Sequence, residues 1–328
     1  MAVRQQVIVG DVEFNPNQTR RLDLPKELPL VGLEMHLNGT LDVTAGPTTN
    51  RDEGVLNLIN AIRIMADGEA IQTWNGRNLF AYNYFTNENA NGQLQPGTGV
   101  ALQPFDAYLQ LPFGFDPKRI TGMPNTTYFD ASRLKTFQIE VDWSDSASII
   151  SAGTATVVQG ASRLQIDAVQ LREQPQRLNL PNRLIRTTNL VETSAAANPN
   201  FRIRLSRDFD TAFILIRFSD DATGFVLDDS LLVNVGLRLG SNFFIFDQIP
   251  RDRWKFWQKR FYRLSEDYPF GTPLAPSQRI EGFIMLSQLQ QGQQDLFAPG
   301  SVNDFDLLCN VAANTRLDIQ QVRIGPPK

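Results

Sequence analysis

Histidine and cysteine are almost absent: His36 and Cys309 stand alone in 328 residues. One cysteine excludes an intrachain disulfide and fits a reducing compartment or a chain that folds inside a cell. One histidine excludes most zinc and metal-oxygenase centres, which use two or more imidazoles. A Ser-His-Asp triad would have to use His36 itself. That residue lies in LVGLEMHL, where Val31, Leu33, Met35 and Leu37 alternate with Gly32, Glu34 and His36. It therefore belongs to the polar face of a strand, without a partner motif, and reads as a surface histidine.

An excess of charge is missing too. Lys and Arg number 31 against 35 Asp and Glu, a net charge of −4, so there is no global basic signal for nucleic acid. No apolar run approaches the roughly 18 residues that span a bilayer. The opening stretch MAVRQQVIVGDVEF lacks the apolar core of a signal peptide. A membrane can be a neighbour of such a chain, but not one that it crosses. No phosphate loop, no GxGxxG after a strand and no CxxC occurs.

What is present is β pattern. TFQIEVDW alternates Phe137, Ile139, Val141 and Trp143 with polar residues, and DFDLLCNV does the same with Phe305, Leu307, Cys309 and Val311. Period-two alternation marks strands with one face on a core. Turn clusters such as LNGT, ADGE and SDDATG separate them. Many short strands with loops of variable length indicate a sandwich or jelly roll, not alternating β/α units. Two segments read as short helices. RDRWKFWQKRFYRLSED places Trp254, Trp257, Phe261 and Leu264 on one helical face. NGRNLFAYNYF (Asn75–Phe85) is the other.

A ten-residue phrase occurs twice. SRLQIDAVQL ends at Leu171, and TRLDIQQVRI ends 153 positions later at Ile324. Earlier strands echo in the same order. Leu24 with Val31, Leu33, Met35 and Leu37 matches Leu205 with Ala212, Ile214, Ile216 and Phe218 at an offset of 181. IRIMADG (Ile62–Gly68) matches LRLGSNF (Leu237–Phe243) at 175, pairing Arg63 with Arg238, and the Phe137 and Phe305 strands match at 168. Arg163 pairs with Arg316 in the closing phrase. Preserved order with a shrinking offset describes one fold used twice, with longer loops in the first copy.

The expected architecture is all-β: two tandem eight-stranded jelly rolls with short helices in loops. The expected boundaries are an N-terminal arm over 1–19, a first jelly roll over 20–171, a Pro-containing linker over 172–200, a second jelly roll over 201–324 and a tail over 325–328. Inside the repeated phrase the apolar spacing slips from two to three, at Ile166 to Val169 and again at Ile319 to Val322. That slip predicts β-bulges near Asp167–Ala168 and Gln320–Gln321.

Candidate site residues are few. Arg251, Arg253, Lys255, Lys259, Arg260 and Arg263 make the second helix basic. They could contact lipid headgroups or an acidic partner. The plainer reading packs Trp254 and Trp257 on the sandwich and leaves the charges solvated or paired with neighbouring chains. Cys309 takes the place of Val141 in the repeat and reads as a buried small hydrophobe. The acid clusters Ser219–Asp221, Leu227–Ser230 and Asn303–Asp306 lack the spacing of a calcium loop and suit turns. No catalytic residue and no cofactor is expected, and calcium is the one ion these clusters leave open.

The chain resembles the double jelly-roll major capsid proteins of tailless icosahedral, lipid-containing bacteriophages. The likeness runs from about Leu22 to Ile324 and rests on GVLNLINAIRIMADGEAIQTWNG (Gly54–Gly76), FILIRFSDDATGFVLDDSLLVNVGLRLGSN (Phe213–Asn242) and NDFDLLCNVAANTRLDIQQVRI. The basic, aromatic region from Trp254 to Tyr268 departs from that pattern. The resemblance implies a structural protein and not an enzyme, made in the host cytoplasm and resident in the virion capsid. It implies homotrimeric, pseudo-hexagonal capsomers that meet neighbouring capsomers and minor capsid or vertex proteins. It also implies an inner side with the N-terminal arm facing a membrane, and no direct contact with nucleic acid. Two other readings compete: a two-jelly-roll amidase of the peptide:N-glycanase kind, working with carboxylates in the cleft between the copies, and a tandem carbohydrate-binding module using Trp74 or Tyr128 as platforms.

Overall fold

The structure, a computed structural model, describes residues 4–87, 92–114, 128–172, 183–222, 224, 226–241, 243–262, 281–287 and 296–326. The first half builds β1 (Arg4–Glu13), β2 (Thr19–Asp23), β3 (Leu30–Asn50), β4 (Ile59–Ala66), β5 (Glu69–Trp74), α1 (Gly76–Asn87), β6 (Leu102–Pro112), β7 (Phe137–Trp143), β8 (Ile150–Val157) and β9 (Arg163–Leu171). The second half builds β10 (Leu184–Ser194), β11 (Asn198–Arg204), β12 (Asp210–Asp220), β13 (Leu232–Leu239), β14 (Phe243–Pro250), α2 (Arg251–Tyr262), β15 (Phe283–Leu286), β16 (Phe305–Val311) and β17 (Thr315–Gly325).

The sheets run β1-β9-β3-β6 and β2-β7-β4-β5 in the first half, and β10-β17-β12-β15 and β11-β16-β13-β14 in the second. The two orders are the same once β8, which pairs with the long end of β3, is set aside. In each half the inward residues of both sheets meet in an apolar core. Met35, Leu37, Leu164 and Ile166 pack with Ile62, Ile64, Ile139 and Val141. Ile216, Phe218, Leu317 and Ile319 pack with Val235, Leu237, Leu307 and Cys309. These are paired antiparallel sheets of a jelly roll, built twice.

Strand register tests the repeat residue by residue. Met35 lies opposite Ile166, and Ile216 lies opposite Ile319, so the offsets of 181 and 153 agree with one another. The offset of 175 needs correction. Ile62 faces Val141, while Cys309, the counterpart of Val141, faces Val235. Ile62 is therefore equivalent to Val235, and the offset is 173. Arg63 and Arg238 are not equivalent, because alternating strands match themselves equally well when slid by two residues. The offset falls from 181 at β3 to 153 at β9 with one small reversal, from 173 at β4 to 175 at β5 and α1, and a register irregularity follows Ile59 in one copy and Leu232 in the other.

Two boundary expectations also change. Residues expected as an arm form β1, which pairs along its length with β9, and β10 lies in the expected linker and pairs with β17. Both are sheet members whose exposed sides lack a steady apolar alternation, which is why they read as arm and linker.

The expected bulges sit elsewhere. Alternation continues through β9, with Leu164, Ile166, Ala168 and Gln170 buried in turn, and β10 runs in unbroken register past Gln320 and Gln321. The extra residue lies on a partner strand: at Val9 of β1, opposite Asp167 and Ile166, and at Val31 in β3 and Ala212 in β12, the last two being equivalent positions. The slip in the phrase has another cause: Val169 and Val322 point outward, Val169 packing on Val31, Tyr128 and Leu171 of its own copy and Val322 joining the apolar cluster of the first copy.

Candidate functional site

The two copies differ most on one outer face. In β3 the outward residues are Gly32, Glu34 and His36; the equivalent residues in β12 are Phe213, Leu215 and Arg217. The latter three are fully buried, because β5 and α1 of the first copy lie on them. The Thr73 N–H donates to Thr187 Oγ1 at 2.7 Å, and the Thr73 carbonyl accepts from Thr187 Oγ1 at 2.9 Å and Gln320 Nε2 at 2.8 Å. Tyr82 of α1 meets Phe213 edge-on at 5.9 Å. A strand covered on both sides must be apolar on both sides, which explains the unbroken run TAFILI.

Arg217 interrupts that run and is the most demanding group in the molecule. Its Nε donates to Glu53 Oε1 at 2.8 Å, and its Nη1 donates to Asp318 Oδ2 at 3.0 Å and Ser219 Oγ at 3.0 Å. Burial works against its charge, but Glu53 and Asp318 outweigh burial and raise its pKa above the ordinary arginine value. Glu53 is held in the left-handed region at φ 64°, a strained conformation for a residue with a side chain. Arg77 lies alongside, 3.9 Å from Asp318, and burial with the neighbouring Arg217 charge lowers its pKa to about 10. This cluster ties the first copy to the second. Its carboxylates are closed to any substrate, so they cannot serve the cleft chemistry of an amidase.

The helices are equivalent as well. Each has 12 residues and follows its strand directly. Asn83 Nδ2 donates to the Gln110 carbonyl of β6 at 2.7 Å, and Gln258 Nε2 donates to the Met285 carbonyl of β15 at 2.8 Å. Leu79 and Trp254 plug the two cores. By the same alignment Ala81 and Tyr82 correspond to Phe256 and Trp257. The first two are buried, Tyr82 against Phe213 of the second copy. Phe256 is 65% exposed, as are Phe243 and Phe244 of β14 at 62% and 41%.

Of the six basic candidates, Arg251, Arg253 and Lys255 are described together with their side chains. Arg251 donates to Asp252 at 2.7 Å and to the Asp229 carbonyl, and Lys255 pairs with the Asp229 carboxylate. Burial lowers the Lys255 pKa although Asp229 opposes it. Arg253 is exposed and lies over the Trp257 ring at 5.3 Å. Lys259 and Arg260 fall on α2, and their side chains, like all of Arg263, lie outside the described residues. Trp254 packs on the sandwich as the helical spacing indicates, while Trp257 is half-buried.

Among the described residues the sheet face equivalent to the covered one is open. A depression of about 400 Å³ on it is lined by Gln6, Ile8, Glu34, His36, Tyr108 and Asp167. Ile8 is 83% exposed and Tyr108 46%. His36 stacks on Tyr108 at 4.2 Å, with Nε2 3.6 Å from Asp106. Glu34 and Asp167 stand directly opposite one another across β3 and β9. The Gln6 amide bridges them at 3.1 and 2.8 Å, and among the described residues neither meets a cation.

The remaining sequence candidates are accounted for. Asp228 caps Ser230, Asp304 and Asp306 bind Arg202, Arg204 and Arg238, and among the described residues no three metal-type ligands converge. Trp74 and Tyr128 are buried and cannot be carbohydrate platforms. Cys309 is buried, and burial raises its thiol to about 12.

No family model matches the chain, and no curated protein does. Solved structures match in fold. The STIV MCP superposes with a TM-score of 0.74 at 9% identity, covering 98% of this chain and 97% of that one. The major capsid protein P2 from Bacteriophage PM2 gives 0.61 at 11% identity over 98% of both chains. The Faustovirus major capsid protein gives 0.61 at 9% identity, over 99% and 90%. The chain, end to end and in both copies, has the double jelly-roll fold of these viral major capsid proteins.

Proposed function

We propose that this chain is the major capsid protein of an icosahedral virus, a shell-building unit without an active site. One observation carries the reading: both jelly rolls, in order and over 97% or more of both chains, superpose on the STIV capsid protein. The buried inter-copy ion cluster supports it, since it makes the two jelly rolls one rigid building block. Three such blocks around a threefold axis present six jelly rolls, which fills a near-sixfold position in a shell. The finer reading takes homotrimeric capsomers that meet neighbouring capsomers and minor capsid or vertex proteins, with a lipid membrane on the inner side as the resemblance implies. Light scattering and particle images of the purified chain test it. Trimers or closed shells are expected, and a monomer at every concentration up to the millimolar range, with no particles, counts against it.

A further inference from the structure

The junction between the two copies is not filled throughout. A cavity of about 180 Å³, partly open to solvent, remains where β4 begins, β7 ends, α1 starts and β12 turns back. The first copy contributes Asn57, Asn60, Arg77 and Ser144 to its wall, and the second contributes Gly224 and Arg316. One water needs only roughly 10–15 Å³, so the space admits a polyatomic ligand.

Charge decides which ligand. Glu53 is taken up by two hydrogen bonds from Arg217. Asp318 is then shared by three arginines, with Arg217 at 3.0 Å, Arg316 at 3.4 Å and Arg77 at 3.9 Å. Three cations against two carboxylates leave this cluster, among the described residues, with one positive charge in excess. The two members that line the cavity are both cations, Arg77 and Arg316. Neighbouring carboxylates are engaged elsewhere. Asp52 accepts from the Leu227 N–H at 2.9 Å, and Asp142 accepts from Asn60 Nδ2 at 2.8 Å and lies 3.7 Å from Arg63. The Gly224 carbonyl, which would repel an anion, already accepts from Arg217 at 2.9 Å and from Arg77 at 3.5 Å. A residual cation in a partly buried site is costly unless a counter-ion joins it.

The equivalent corner of the second copy is built the other way. Arg77 corresponds to Asp252 on α2, and Arg316 corresponds to Arg163, which pairs with Asp11 at 3.3 Å. An acid in the first turn suits the positive end of a helix, and a cation there does not. The first turn of α1 carries Arg77 and no acid, so the helix adds its own positive potential to that of the two guanidiniums.

We infer that this cavity binds one small tetrahedral oxyanion of the phosphate type, taken free from solution and held between Arg77 of the first copy and Arg316 of the second. Oxyanions match the planar donor forks of arginine. The Ser144 hydroxyl and the second N–H of the Asn60 amide supply neutral donors on the same wall. Neither copy has the whole site, so the bound ion fastens one jelly roll to the other. The inference concerns the single chain and stands apart from whether chains associate.

The test is calorimetric titration of the full chain with inorganic phosphate, with melting temperatures taken at constant ionic strength made up with chloride. Saturable binding of one ion per chain is expected. At a hundredfold excess over the dissociation constant the folding equilibrium should shift by about a hundredfold. Arg316→Gln should weaken binding by about tenfold to a hundredfold, the loss of charged hydrogen bonds. Ser144→Asp puts a carboxylate on the cavity wall in the ion's stead, so it should raise the melting temperature in phosphate-free buffer and remove the phosphate response. Circular dichroism checks that both variants fold, and Ser144→Asp carries the test alone if Arg316→Gln does not. No saturable binding to the wild-type chain overturns the inference. Binding that both variants leave unchanged does the same. So does a melting temperature that climbs without saturating and equally in wild type and Ser144→Asp, which is the general effect of an excluded salt. A short oligothymidylate that binds where inorganic phosphate does not, and is lost in Arg316→Gln, assigns the site to a nucleic-acid backbone and overturns the free ion.

Discussion

β3 and β12 are the same strand of the same fold, and their inward residues are interchangeable in kind: Leu33, Met35 and Leu37 against Ile214, Ile216 and Phe218. Their outward residues have nothing in common. Glu34 and His36 line an open depression, while Phe213, Leu215 and Arg217 lie under the other jelly roll. Duplication preserved what each sandwich needs to fold and let the outer face diverge with what covers it. A buried face tolerates a charge only with partners in place, so Arg217 came to hold Glu53 and Asp318 where His36 holds little.

The comparison can be broken by treating equivalent positions alike. Arg217→Met should cost the most, about 3–5 kcal/mol, since it leaves Glu53 buried without its hydrogen-bonded cation and Asp318 with only Arg77 and Arg316 at longer range. His36→Met should stay within about 0.5 kcal/mol. Chemical unfolding of both variants decides, and equal costs would mean that the cover on β12 contributes little. Leu215→Ala should cost about 2–5 kcal/mol from the cavity at the inter-copy contact. Glu34→Ala, its counterpart, should be near neutral in the same assay.

Cys309 and Val141 sharpen the comparison through pH. Below pH 9.0 the thiol is neutral in both folded and unfolded chains. Above it only the unfolded chain ionises, since burial raises the folded thiol to about 12. Stability is therefore present below 9 and falls as pH rises toward 12, by up to about tenfold in the folding equilibrium per pH unit. Cys309→Val should delay that loss to about pH 10.0, the ordinary tyrosine value, where buried Tyr82, whose hydroxyl is also raised by burial, takes over. Melting temperatures from pH 8 to 11 would show it. A modest loss is expected at the helix ties. Asn83→Leu removes two bonds to the Gln110 backbone and should cost about 2 kcal/mol, while Gln258→Leu removes one bond to the Met285 carbonyl and should cost about 1 kcal/mol.

Much of this was legible in the chain. Period-two alternation located the inward faces, and the spacing of Trp254 and Trp257 located α2. Register within an alternating strand was not fully legible, as the two-residue slide at Arg63 shows. The basic stretch of α2 read as one patch, yet Asp229, distant in the chain, claims Arg251 and Lys255 and leaves Arg253 free. Arg217 carries a signal of its own. A cation inside TAFILIRF, a run apolar on both faces, marks a strand buried on both sides with a partner waiting.

The sequence by itself determined that the fold is β, that it occurs twice, and which side of each strand faces a core, because these follow from short-range periodicity and collinear order. Tertiary structure alone decided that β1 and β10 belong to sheets, that the bulges lie at Val9, Val31 and Ala212, and that one outer face is covered while its twin stays open. Those outcomes depend on which distant segments meet, and alternation within a strand carries no record of the residues beyond its own sheet.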